Sequence, residues 1–174
     1  AVRQFQHTIT SNQQQINLQT YLTGVGWNGS DPVALTVNNG VYIWSDNTGT
    51  AALIIPSVFN GILAITNNGY IMGKGGQGGN SYSNGSAGGP AIYNYASGVT
   101  FNNTSSGYVG GGGGGGAGGT GSGYGTGGGG GAGGGNGGSS NSLTGGAGGS
   151  IGGSGANGIG DDGNKWNTAG YGGT

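Results

Sequence analysis

GKGGQGGN, residues 73–80, sets Lys74, Gln77 and Asn80 at every third position of an otherwise all-glycine run. A later stretch keeps the same frame, with Gly146, Gly149, Gly152, Gly155 and Gly158 in one phase. Three residues make one turn of the extended polyproline II and polyglycine II helices, which rise about 3.1 Å per residue and form no internal hydrogen bonds. Their N–H and C=O groups point sideways and must find neighbours. Side by side, such helices satisfy one another: glycine lets the backbones approach on the inward phases, while a third phase carries Lys, Gln or Ser outward. The period predicts a bundle of polyglycine II helices over residues 73–174.

Glycine supplies 52 of 174 residues, and only Gly24, Gly26, Gly29, Gly40, Gly49, Gly61 and Gly69 precede residue 73. A flexible tether is the competing reading of such a composition. Tethers usually avoid collapse through charge and a lack of aromatics. Here three Lys and Arg stand against four Asp and Glu, beside three Phe, nine Tyr and three Trp. Ordering each glycine costs about 1–2 kcal/mol of backbone entropy, so many-sided hydrogen bonding and close packing must offset it. Collagen fits poorly, because the chain has three prolines and keeps a Gly-X-Y frame only locally.

Residues 1–72 read as a separate, β-rich base or attachment module. Val33, Leu35 and Val37 alternate on one face, and Asn39-Gly40 then divides them from Val41 to Trp44, which predicts a hairpin. Further short apolar runs follow at 51–55 and 62–66. Over 12–27 the spacing of Ile16, Leu18, Tyr21, Leu22 and Val25 predicts a short helix capped by Ser11 or Asn12. Asn38-Asn39-Gly40 before Val41-Tyr42-Ile43 returns 29 residues later as Asn67-Asn68-Gly69 before Tyr70-Ile71-Met72. A third copy, 99–103 with Gly107-Tyr108-Val109, predicts that 91–109 rejoins the β module.

Catalysis has little to work with. The chain has one histidine, His7, and no Glu or Cys, so general acid-base chemistry, a nucleophile with its base, a thiolate metal site and a disulfide framework all lack parts. His7 reads as an ordinary surface residue. Asp161-Asp162 lacks the ligand ladder of a calcium loop, and no glycine run ends in the Lys-Ser/Thr of a phosphate loop. No enzyme activity, metal or cofactor is expected. Nucleic acid is not expected without a basic stripe. No apolar run suits membrane insertion, and no secretion signal is visible.

Recognition remains, and the polar, aromatic breaks between glycine runs carry it, since Tyr and Trp among Ser, Gly and Asn make an adaptable contact surface. If 73–79 leaves the module and later runs return antiparallel, the breaks at 80–84, 119–124 and 161–169 lie at the far end, and those at 91–109 and 139–144 lie near it. The candidate contact residues are Ser81, Tyr82, Ser83, Asn84, Ser122, Tyr124, Asp161, Asp162, Asn164, Lys165 and Trp166. Tyr93, Tyr95 and Tyr108 are expected to be structural.

Runs such as GKGGQGG, GGGGGGGAGG and GGGGGAGGGNGG, separated by short polar and aromatic breaks, resemble the distal long-tail-fibre adhesins of T-even-like bacteriophages over residues 73–174. The resemblance implies a polyglycine II bundle whose intervening loops recognise a porin-like outer-membrane protein of a Gram-negative host. It further implies a place on the virion at the distal end of a tail fibre, with a tail-fibre or tail protein as partner on the amino-terminal side. At that side the short β module stands where a longer attachment region is expected.

The sequence thus predicts a mostly irregular and β fold with little α-helix: a small β-rich module, then a polyglycine II bundle with loops at both ends. Its function is that of a receptor-binding tip. A self-assembling structural protein and an ice-binding protein are the alternatives, and the Tyr and Trp in the breaks argue against the latter.

Overall fold

The computed structural model describes residues 3–79 and 83–115. Along the chain run β1 (Phe5–Ile9), β2 (Gln13–Gln14), β3 (Ile16–Asn17), α1 (Leu18–Gly24), β4 (Val33–Val37), β5 (Tyr42–Trp44) and β6 (Leu53–Ile55). A 3-10 turn at Ser57–Phe59 precedes β7 (Leu63–Asn67), β8 (Tyr70–Met72), β9 (Ile92–Asn94), β10 (Thr100–Asn103) and β11 (Tyr108–Gly110). Among the described residues, one short α-helix beside eleven strands is the β-rich fold that the sequence predicts.

Alternation drives the strands. In β4 Val33, Leu35 and Val37 are buried while Ala34 and Thr36 are half-buried, so one face packs inward and small side chains face out. Each strand then pairs, in parallel, with the strand one coil later. The three sheets have the orders β1-β4-β7-β10, β11-β8-β5-β2 and β3-β6-β9. Successive coils therefore stack as a three-sided parallel solenoid with strands about 4.8 Å apart.

This arrangement overturns the predicted hairpin. β4 and β5 lie in different sheets, and Asn39-Gly40 turns a corner between two faces; Gly40 takes φ +75 there. The 29-residue echo is the length of a coil. Val37 stands beside Asn67 and Tyr42 beside Tyr70, because the corner of four residues in one coil shrinks to two in the next. Only glycine fits this tighter corner: a Cβ on Gly69 would lie 2.6 Å from the Asn38 carbonyl oxygen and against that of Val41. The third copy also takes its place, with β10 on β7 and β11 on β8.

The helix is shorter than predicted and begins later. Asn17, not Ser11 or Asn12, caps it: its Oδ1 accepts from the Gln19 and Thr20 N–H groups at 3.1 and 3.3 Å. Gln13, Gln14, Ile16 and Asn17 are drawn into strands by partners one coil away. Leu18 and Leu22 of α1 join Ile9, Leu35, Ile43, Leu53, Phe59, Ile65 and Ile71 in the core. Trp27 stacks on Phe59 at 4.8 Å and donates its Nε1–H to the Asp31 carbonyl at 2.9 Å.

Polar groups inside the corners are satisfied. Asn67 is fully buried; its Nδ2 donates to Asn103 Oδ1 at 2.7 Å and to the Tyr108 carbonyl at 3.2 Å, and its Oδ1 accepts from Gly69 N–H at 3.2 Å. One side chain thereby ties the corners of two successive coils together.

Candidate functional site

Two neighbouring strands feed the glycine segments. β11 lies beside β8 with Gly110 opposite Met72, and the pairing continues past both: Gly73 N–H donates to the Gly110 carbonyl at 2.9 Å and Gly76 N–H to that of Gly113 at 2.7 Å. The donors are now three residues apart, so the backbone has left the two-residue strand repeat. The chain returns antiparallel, with Ser86 N–H donating to the Gln77 carbonyl at 2.8 Å and Gly89 N–H to that of Lys74 at 2.7 Å. The third side closes at the same interval: Gly112 N–H to Gly89 and Gly115 N–H to Ser86, both at 2.8 Å. The segment at 73–79 donates to 110–115, which donates to 83–89, which donates back to 73–79.

Backbone contact leaves no room for side chains on the inner phase. A Cβ on Gly73, Gly76 or Gly79 would strike the carbonyl of Gly89, Ser86 or Ser83, and one on Gly112 or Gly115 that of Lys74 or Gln77. Off that phase the space opens, to 3.4 Å at Gly111 and 3.8 Å at Gly114. Gln77 is exposed and Lys74 half-buried, as the threefold pattern expects.

Of the candidate contact residues, Ser83 and Asn84 fall within the described residues. Both are exposed, and Ser83 sits across from Gly79, the described residue of the outgoing segment most removed along the chain from β8. Ser81, Tyr82, Ser122, Tyr124, Asp161, Asp162, Asn164, Lys165 and Trp166 lie outside the described residues.

Tyr108 belongs to a column on the outer face of its sheet: Tyr42 and Tyr70 stack at 4.6 Å, and Tyr108 follows at 6.4 Å from Tyr70. Its ring covers Gly110, where a Cβ would come within 2.7 Å of Cε1. Tyr42 and Tyr70 carry no recognition signal in the sequence beyond the coil echo, yet they brace the root of the glycine segments. Tyr93 and Tyr95 form a second pair at 6.1 Å and are exposed, Tyr95 by 64%.

His7, expected as an ordinary surface residue, has neighbours on β1 and α1. It is half-buried, stacked on Phe5 at 6.4 Å, with Nε2 at 3.1 Å from the Tyr21 hydroxyl of α1. Desolvation raises the Tyr21 pKa above the ordinary 10.0. Among the described residues no three His, Cys, Asp or Glu side chains gather as a metal site. No helix among them is long and apolar enough to cross a membrane.

The described residues thus form a parallel solenoid whose coils run directly into laterally bonded glycine segments. A family model described as phage tail fibre adhesin Gp38 matches residues 4–174, and the chain belongs to that family. No curated protein and no solved structure matches it. The match spans the solenoid as well as the glycine segments. As a tail fibre adhesin the protein is a virion component that joins the fibre to a host receptor.

Proposed function

We propose that the chain is the receptor-binding tip of a tail fibre, that its glycine segments are polyglycine II helices, and that the loops joining them dock on a porin-like outer-membrane protein of a Gram-negative host. The observation that carries this reading is the closed ring of hydrogen bonds at three-residue intervals among 73–79, 83–89 and 110–115. A scaffold stiffened by backbone bonding gives its connecting loops fixed positions, which lowers the entropy lost on binding. The antiparallel return of 83–89 supports setting the break at 80–84 at the end away from β8. By the same alternation the breaks holding Tyr124 and Trp166 share that end, and their aromatic and polar side chains supply the contact surface. The chain acts without catalysis or cofactor.

The test is the double substitution Tyr124→Ala and Trp166→Ala, with adsorption of the purified protein to host cells as readout and circular dichroism as a check on folding. Adsorption drops at least tenfold if two central aromatic anchors are lost. A folded double variant that adsorbs like the parent contradicts the loop assignment.

A further inference from the structure

Five Asn-Gly pairs lie within the described residues, at Asn28, Asn39, Asn60, Asn68 and Asn84. Such a pair reacts with itself when the glycine backbone nitrogen reaches the asparagine side-chain carbon Cγ, and a glycine, lacking Cβ, obstructs the resulting ring least. The fold treats the five unequally.

Four are held. Asn28 Oδ1 accepts from the Ser30 and Asp31 N–H groups at 3.0 and 2.9 Å, which locks its side chain into a turn. Asn60 Oδ1 accepts from Ser97 N–H at 2.7 Å, while the Gly61 N–H, the would-be nucleophile, donates to the Ser97 carbonyl at 2.8 Å. Asn68 Oδ1 accepts from Thr104 Oγ1 at 2.9 Å, and Gly69 N–H is taken up by Asn67 Oδ1 at 3.2 Å. Asn84 is exposed, but its carbonyl group is wedged against Gly79, where a Cβ would come within 2.8 Å of its oxygen.

Asn39 is different. It and Gly40 are exposed at the corner between β4 and β5, in a four-residue turn closed by Val41 N–H on the Asn38 carbonyl at 3.2 Å. Gly40 takes φ +75, and a Cβ there would meet no heavy atom within 4 Å. Among the described residues neither the Asn39 side chain nor the peptide group joining it to Gly40 makes a hydrogen bond.

We propose that Asn39 is a site of spontaneous deamidation, selected from the other pairs by the fold. The Gly40 nitrogen bonds to Asn39 Cγ, the bond from Cγ to Nδ2 breaks, and the side-chain nitrogen leaves as ammonia with the Gly40 proton. Water then opens the cyclic imide at either carbonyl. One opening gives aspartate; the other gives isoaspartate, whose main chain runs through the former side chain and is longer by a methylene. Both add a negative charge to a chain of formal net charge -1. Isoaspartate also stretches a corner whose Asn38 and Val41 carbonyls pack against Gly69 of the next coil.

Incubation of the purified full chain in mildly alkaline buffer, then peptic digestion in acid and mass spectrometry, tests this. The peptide holding Asn39 gains the mass of a hydroxyl exchanged for an amide. Peptides holding Asn28, Asn60, Asn68 and Asn84 gain it about tenfold more slowly, since each must first give up a bond or contact. In concentrated urea, where the fold is lost, the five react at similar rates. Isoaspartyl methyltransferase with labelled S-adenosylmethionine marks the same Asn39 peptide, and the label disappears in Asn39→Gln, whose longer side chain closes a ring far more slowly. An Asn39 peptide that stays unchanged in the folded chain while it reacts in urea overturns the proposal, as does label that persists on that peptide in Asn39→Gln. Equal rates for the five pairs in the folded chain overturn the selection by the fold.

Discussion

Gly112→Ala probes the glycine segments at their tightest point. A Cβ there would overlap the Lys74 carbonyl group and approach Gly75 N to 2.7 Å, and both are backbone atoms that no rotamer change can clear. The two segments must separate by about 1 Å to restore ordinary contact. The bonds between these two segments are short: Gly73 N–H to the Gly110 carbonyl at 2.9 Å and Gly76 N–H to that of Gly113 at 2.7 Å. Lengthened by that amount they pass about 3.5 Å and are lost, at about 0.5–1.5 kcal/mol each. Residual overpacking adds about 1–3 kcal/mol. The expected destabilisation is therefore roughly 2–6 kcal/mol. Gly114→Ala is the matched control, two residues along the same segment, where the nearest atom to the new Cβ is the Ser86 carbonyl oxygen at 3.8 Å. It should be neutral, or stabilising by about 0.4–1 kcal/mol through loss of unfolded-state freedom. Thermal unfolding followed by circular dichroism compares the two. Equal melting temperatures for Gly112→Ala and Gly114→Ala would refute the claim that one glycine phase is packed against backbone and the next is not.

Three other outcomes follow from the same structure. Asn67→Ala strands the Gly69 N–H and the Asn103 amide in a buried corner, and a loss of about 2–4 kcal/mol in urea unfolding is expected; a loss below about 0.5 kcal/mol would mean the corner is hydrated and open. Because burial raises the Tyr21 pKa above 10.0, the folded state holds the phenol neutral. Stability from this group is complete below the ordinary value and fades as pH rises through the higher one, so the parent should lose melting temperature in the alkaline range and Tyr21→Phe should lose less. With a formal net charge of -1, adsorption to host cells should change less than about twofold between roughly 50 and 200 mM salt, and a steep loss would assign binding to charge.

The sequence made the strands legible and their pairing much less so. Val33, Leu35 and Val37 announce a strand because alternation is local. Whether Asn39-Gly40 closes a hairpin or rounds a corner depends on what lies beside Tyr42, and that partner, Tyr70, is a coil away. The Asn-Asn-Gly echo held the answer, since a 29-residue repeat of strand and corner is what stacking coils produce. Reading Asn39-Gly40 as a hairpin turn placed β4 against β5 instead of each against the strand one coil later. Gln13 to Asn17 misled for a similar reason: their helical spacing is real, but Ile43, Trp44, Leu53 and Ile54 offer them ladder positions. His7 likewise gains its burial from Tyr21, which is fourteen residues away and brought close only by α1.

The glycine frame was legible because the constraint is simple. In the described segments 73–79 and 110–115, Gly73, Gly76, Gly79, Gly112 and Gly115 press on neighbouring backbone at three-residue intervals. Which loop side chains meet a receptor depends on the receptor's surface, and no intrachain pattern encodes it.

The central claim is that this chain alone carries host recognition. Its most direct test is competition: purified protein is added to host cells before the phage, and adsorption of virions is counted. A receptor-binding tip occupies the receptor and blocks adsorption in proportion to its own bound fraction, and host cells without the receptor bind neither. Saturating protein that leaves virion adsorption unchanged would contradict the account.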